Sequence, residues 1–335
     1  MSLLRAASVV AIAAVFAGAA CAQEKTPPHA MPASDKPMPA ATSKVGNVDD
    51  SVSKDAIVKR ADFDEAPSPD AMNAIQHFSL EGNFAQGGLV FGQTEPGAKA
   101  TFDGKDVMVD DDGRFIIGFG RDSALASTIK ITLPDGAVEE RAIEIADREF
   151  PVQRIDGLDQ SKVSGFTEEQ LKKIGEDKEK KLAARKTTQR LADWSVGFDW
   201  PATGRISGVF GSQRILNGEA GNPHSGVDVA VPKGTPILAP APGVVRLAEP
   251  DMYFEGGLVL VDHGHWIESA FMHMSRIDVQ PGQRVEKGDV LGAVGATGRA
   301  TGPHLHWSLK WGGTLVDPQL AAGPMPVEAA PAAGE

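Results

Sequence analysis

Few apolar runs in this chain get far before a Gly- or Pro-bearing turn stops them, and that punctuation decides the fold class. The 335 residues include 37 Gly and 23 Pro. Short stretches of alternating apolar and polar residues lie between them, and alternation puts every second side chain on one face of a strand. A helix needs an unbroken 3.6-residue pattern, which Pro and Gly interrupt. Within residues 76–156, Gly87-Gly88-Leu89-Val90-Phe91-Gly92, Asp112-Gly113-Arg114-Phe115-Ile116-Ile117-Gly118 and Ile129-Lys130-Ile131-Thr132-Leu133-Pro134-Asp135-Gly136 read as strands bounded by turns. About seven strands at this spacing predict a small β-sandwich domain. The acidic Asp110-Asp111-Asp112-Gly113 reads as a hairpin turn, because no downstream Glu completes a calcium loop. Residues 200–320 are β-rich again, with Leu258-Val259-Leu260-Val261 and Val290-Leu291-Gly292-Ala293-Val294 as strands.

Residues 165–195 are the exception. Thr167 to Trp194 contains no Pro and spaces Leu171, Ile174, Leu182 and Leu191 near the helical period, while Thr167 with Gln170 matches a capping box. A helix, continuous or interrupted, is expected to connect two folded domains, its many charges forming a solvated face.

The ends read differently. Arg5 precedes an apolar small-residue run over residues 6–19, and Ala20-Cys21-Ala22 offers a cleavage site before Gln23, so residues 1–22 are expected to be a signal peptide. That run is shorter than the ~18 residues of a membrane span. Cys21 is the only cysteine. Lipidation of it would favour Leu three residues earlier, where Gly18 stands, so removal with the signal is the preferred reading. Residues 23–75, rich in Pro, Ala and Ser, predict a disordered tether that includes His29, and residues 321–335 a disordered tail. The mature protein is thus expected in the periplasm or cell envelope without a membrane span. A formal charge of −12 argues against nucleic acid or anionic lipid as partner.

The chemistry gathers in residues 200–320. His224 and Asp228 stand four apart, in a segment whose Gly226 and following alternation suggest a loop entering a strand. Farther on, His304-Leu305-His306 would place both imidazoles on one face of a strand with Leu305 on the other. A zinc site with an open position needs three protein ligands, commonly His and carboxylate. His224, Asp228 and one of the pair meet that count. Zinc lowers the pKa of a bound water to about 7 and polarises a carbonyl. No H-E-x-x-H supplies a glutamate base, so a free His must move the proton. The other member of the pair and His273, in Phe271-Met272-His273-Met274-Ser275, are the candidates. His263-Gly264-His265 is a second H-x-H, but its glycine suits a turn, and a structural role is expected. His77 has no evident partner.

Taken together, His224-x-x-x-Asp228, the 271–275 segment and Gly295-Ala296-Thr297-Gly298 leading into Gly302-Pro303-His304-Leu305-His306 make residues 204–318 resemble the lysostaphin-type (LytM-like) zinc peptidoglycan endopeptidases. The resemblance implies a peptidase domain on an antiparallel β-sheet, one Zn2+ bound by His224, Asp228 and His306, and His273 and His304 acting on water and substrate. Family members often carry Tyr two residues before the third of these His, where this chain has Phe271; Tyr253, its only tyrosine, could border the groove or serve in aromatic packing. The implied activity is hydrolysis of amide bonds in stem or cross-link peptides of peptidoglycan. The alternative is a silent domain that binds wall peptide or activates a separate amidase, a role for which family members have lost ligands. The β-sandwich could dock over the groove or bind an envelope protein.

Overall fold

The computed structural model describes residues 77–326. The expected signal peptide, the tether and the end of the tail lie outside them. Where apolar residues alternate, strands form. Phe78–Gly82, Leu89–Thr94 and Arg114–Gly118 make one antiparallel sheet, and Lys105–Val107, Lys99–Phe102, Ala126–Thr132 and Val138–Glu144 make another. Their inward residues, including Phe115, Ile117, Ile129 and Ile131, form one buried cluster, the core of a small sandwich. The acidic stretch is a turn, though not the expected hairpin, because the strands Lys105–Val107 and Arg114–Gly118 that it joins lie in different sheets: the Asp110 carboxylate accepts the N–H of Asp112 at 3.0 Å and of Arg114 at 2.7 Å.

The helix Glu168–Ala184 begins at the predicted capping box, with Thr167 Oγ1 accepting the Gln170 N–H and Gln170 Oε1 accepting the Thr167 N–H at 2.8 Å. Its docking departs from expectation. Leu171 and Leu182 are exposed, while Asp177 is buried. Asp177 holds Lys173 at 2.9 Å and accepts the Tyr253 N–H at 2.7 Å; Lys181 pairs with Glu255 and Arg185 with Glu268. The helix runs beside the strand Gly243–Met252 and its polar turn, where ion pairs rather than an apolar stripe find partners. Part of the charge run therefore faces protein.

The second half is built on an eight-stranded antiparallel sheet. Its order is Arg284–Val285, Gly243–Met252, Gly256–Asp262, Ile267–Met274, Leu305–Trp311, Val227–Ala230 and Arg205–Gly208, with Thr314–Val316 pairing Leu305–Trp311. One face buries Val227, Val229, Phe271, Leu305, Trp307 and Leu309 in a core that Leu89 and Ile116 of the sandwich also enter. Phe91 stacks on Trp194 at 5.7 Å, and Arg148 meets Asp317 at 2.8 Å, so the sandwich is also held by the segments that flank this sheet. Val152–Ile155, leaving the sandwich, pairs in parallel with Gln213–Leu216. Ordered structure continues past residue 320, where a disordered tail was expected: Pro318–Ala322 is helical, and Ala321, Ala322 and Met325 pack on the core. Among the described residues no helix is long and apolar enough to cross a membrane.

Candidate metal centre

Strand alternation positions the first two residues of interest. Val227 and Val229 point into the core, so Asp228 between them points out the other way. Leu305 and Trp307 do the same for His306, and Asp228 and His306 are direct cross-strand partners. His224 reaches them from the loop before Val227–Ala230, a loop pinned by the His224 N–H to Ser212 O and the Gly211 N–H to His224 O, both 2.9 Å. All three are buried. His306 Nδ1 lies 2.8 Å and His224 Nε2 3.1 Å from Asp228 Oδ1, and the two ring nitrogens are 3.0 Å apart.

The donor chemistry of this cluster fits a metal ion. His224 Nδ1 faces Val209 O at 2.9 Å and must donate there, which leaves a lone pair on Nε2 in the neutral ring. That lone pair is aimed at a carboxylate oxygen at hydrogen-bond distance, an arrangement that only a proton or a cation between them reconciles. The Ser225 hydroxyl, 3.3 Å from His306 Nε2, can hold the second ring with Nδ1 toward the centre. Burial raises the Asp228 pKa, but the two imidazoles of His224 and His306 held against Oδ1 outweigh it and keep the carboxyl well below its usual range. Arg214 occupies the other oxygen, its guanidinium donating to Asp228 Oδ2 at 2.7 Å, so Oδ1 is left for the centre. Gly208 is what makes room: a Cβ there would stand 2.5 Å from Asp228 Oδ2 and 3.0 Å from His224 Cε1.

His273 arrives by a different device. In simple alternation it would share the core face with Phe271. Between Gly257 and Val259 the pairing with Ile267–Met274 shifts register, and His273 takes a left-handed φ of 63° at this bulge. The extra residue turns its ring out of the core and toward the cluster, 4.7 Å from the His304 ring and 6.2 Å from the His306 ring between centroids. His273 Nδ1–H donates to Thr297 O at 2.8 Å, and His304 Nδ1–H to Gly302 O at 2.8 Å, so both keep Nε2 as the available lone pair. Burial, then the charges of His304 and His306, push the His273 pKa down to about 3. His304 Nε2 lies 3.7 Å from Asp228 Oδ1.

The structure therefore brings His224, Asp228, His306, His273 and His304 together. The other H-x-H stays away: His263 is fully buried, donating Nδ1–H to Pro242 O at 2.6 Å and accepting from the Ser269 hydroxyl at 2.8 Å, and His265 Nε2–H donates to Arg190 O at 2.9 Å. His77 bonds Glu139 through its backbone N–H. Phe271 faces the core, so a hydroxyl at that position would not reach the groove. Tyr253 donates its hydroxyl to Ser161 O at 2.7 Å and packs on Phe166 and Phe254. Asn217-Gly218, both with positive φ, is the tight turn between Gln213–Leu216 and Glu219–Ala220. Sequence reasoning missed Arg214, Ser225 and Gly208. No spacing marks Arg214, though Ser225 adjoins His224 and Gly208 sits in a strand, where glycine signals a close approach.

Two clefts open on the cluster. The larger, about 1010 Å³, borders His224, His273 and His306 and extends to Arg121 and Asp122 of the sandwich. The smaller, about 290 Å³, lies on the His304 side.

Two imidazoles and a carboxylate converge at the foot of a cleft, with two further imidazoles beside them, a donor set on an antiparallel sheet that could hold a metal ion. The chain belongs to peptidase family M23, a zinc-dependent family whose sequence pattern matches residues 222–318. A solved structure of a Pseudomonas aeruginosa protein assigned to peptidase M23 is 32% identical and superimposes with a TM-score of 0.56, covering 72% of this chain and 96% of that one. The peptidoglycan DD-endopeptidase ShyA of Vibrio cholerae is 41% identical over 103 residues, 31% of this chain and 24% of the relative. The DD-carboxypeptidase/endopeptidase Mpg of Neisseria meningitidis is 37% identical over 122 residues, 36% of this chain and 28% of the relative. The chain thus spans about a quarter of the length of these curated relatives.

Proposed function

We propose that this protein is an exported zinc endopeptidase that hydrolyses amide bonds in stem or cross-link peptides of peptidoglycan. The observation that carries this reading is the meeting of His224 Nε2, Asp228 Oδ1 and His306 Nδ1 within hydrogen-bond distance of one another, beside two imidazoles with available Nε2. The names of ShyA and Mpg support the substrate class. Export rests on the signal-peptide pattern of residues 1–22, with Cys21 removed.

In this reading His224, Asp228 and His306 hold one zinc ion. When bound, zinc supplies an activated water near neutral pH and polarises the amide carbonyl. Arg214 fixes Asp228 so that one oxygen points at the centre. His273 and His304, oriented through Thr297 O and Gly302 O, turn Nε2 to the attacking water and to the leaving amine. A proton taken by His304 or His273 during attack returns to the amine nitrogen as the C–N bond breaks. The cleft lets an extended peptide lie across these groups.

Zymography on purified peptidoglycan should show clearing that EDTA removes and zinc restores, and that Asp228→Ala and His306→Ala lack. Zinc content separates the roles: His224→Ala should lose metal, whereas His304→Ala should keep it and lose activity by roughly 10²–10⁴-fold. A zinc-loaded wild type that binds walls yet releases no new amines would identify a silent wall-binding domain instead.

A further inference from the structure

The two clefts at the centre differ in charge. The larger is balanced, with Arg121, Arg214 and Arg299 against Asp122, Glu219 and Glu255. The smaller, on the His304 side, is lined by Arg205, Arg214 and Arg299, and among the described residues its one carboxylate is Asp228. Asp228 is already spoken for, with Oδ2 on Arg214 and Oδ1 among the imidazoles. A net-positive cleft is notable in a chain of formal charge −12.

The arginines are also placed with care. Arg214 Nε is buried without a hydrogen-bond partner among the described residues, a donor whose desolvation is uncompensated. The Arg299 N–H donates to Phe254 O at 2.8 Å, and its guanidinium lies 4.7 Å from the centre of the Phe254 ring. Thr297, two residues earlier, locks the same loop by accepting the Gly257 N–H at 2.9 Å and donating to Met274 O at 2.9 Å. Arg299 feels the opposing charge of Arg214 and, less strongly, the attraction of Glu255, a carboxylate already paired with Lys181. Like charges brought together from the strand Gln213–Leu216 and the Arg299 loop beside a cleft form a site for an anion, and planar guanidinium forks suit a carboxylate.

We infer that the cleft on the His304 side is a carboxylate-recognition subsite, in which Arg299, with Arg205 and Arg214, takes a free carboxylate of the substrate peptide close to the bond to be cut. This rests on the endopeptidase reading for what the substrate is, but not for whether the subsite binds. The subsite selects peptides with a free carboxylate over those with a carboxamide there.

The test uses a synthetic stem tripeptide with free carboxylates and its fully amidated twin, titrated calorimetrically into the full chain, zinc-loaded and after chelation. Running both separates arginine recognition from direct carboxylate–zinc bonding. The free acid should bind at least about tenfold more tightly in both forms, the usual size of one charge-assisted pair, and the margin should shrink as salt rises. Arg299→Gln should bring the ratio close to one in the chelated protein, Arg205→Gln should reduce it, and Arg299→Lys should recover part of it. Equal affinity for the two peptides, no binding of either, or a ratio that survives Arg299→Gln overturns the subsite. Failure of the zymogram with the binding ratio intact would instead remove the endopeptidase reading alone.

Discussion

At the scale of single residues, the site depends as much on a missing side chain as on the five that converge. Asp228 is crowded by two imidazoles and one guanidinium, and that crowding is possible because residue 208 has no Cβ. In Gly208→Ala the new methyl would fall 2.5 Å from Asp228 Oδ2, so either Arg214 loses its grip or the carboxylate turns. Outer partners of metal ligands affect affinity by roughly 10–100-fold when lost. Zinc affinity measured by chelator competition should therefore fall by about that factor, with thermal stability of the chelated protein changed much less. Unaltered zinc affinity would mean that the position of Asp228 is not what Gly208 protects.

At the scale of elements, the strand Ile267–Met274 shows how a regular structure delivers an irregular result. Its bulge turns His273 from the core face to the groove at the cost of a left-handed backbone at a residue with a Cβ. Glycine relieves that cost where alanine does not. In an ordinary strand glycine is the more destabilising of the two, but here His273→Gly should be more stable than His273→Ala by about 1 kcal/mol. Urea unfolding of the two variants, both chelated, checks the sign. A more stable alanine variant would mean that the bulge relaxes once the imidazole is gone.

At the scale of the whole molecule, burial of histidines makes folding depend on pH. Burial lowers the pKa of His263, of His265, of His273 and of His306. The unfolded chain takes up protons on these groups below about pH 6.5, while the folded chain resists doing so. The unfolded state then binds more protons, so stability is full above pH 6.5 and is lost as pH falls from there through the lowered folded values. Asp228, held low in the folded state, acts in the same direction at lower pH. Chelated protein, in which metal release plays no part, should show a melting temperature that is level above about pH 6.5 and falls from there to pH 5. A flat profile across that window would mean that the buried imidazoles are protonated in the folded state without penalty.

Much of this protein was legible in the linear chain because its signals are local. The capping box at Thr167 and the alternation around Asp228 and His306 act within a few residues, and the structure forms the elements they predict; the turn at Asp110–Gly113 also forms, but joins two sheets rather than a hairpin. The H-x-H pair could be placed on one strand face from period two alone, although its division into roles needed the resemblance to a known family. The rest depended on neighbours distant in sequence. The charged side chains of the helix Glu168–Ala184 face protein because a polar turn 70–80 residues away receives them, as the separation of 76 between Asp177 and Tyr253 illustrates. Arg214 matters because its strand, in a separate three-stranded sheet, lies against the strand of Asp228, and His273 faces the groove because a partner strand is one residue short. Residue type and spacing determined which chemistry this chain can hold. Only the tertiary structure decided which atoms are aimed at one another, because lone-pair direction, burial and the charge of a cleft belong to the packed sheet and not to any segment of it.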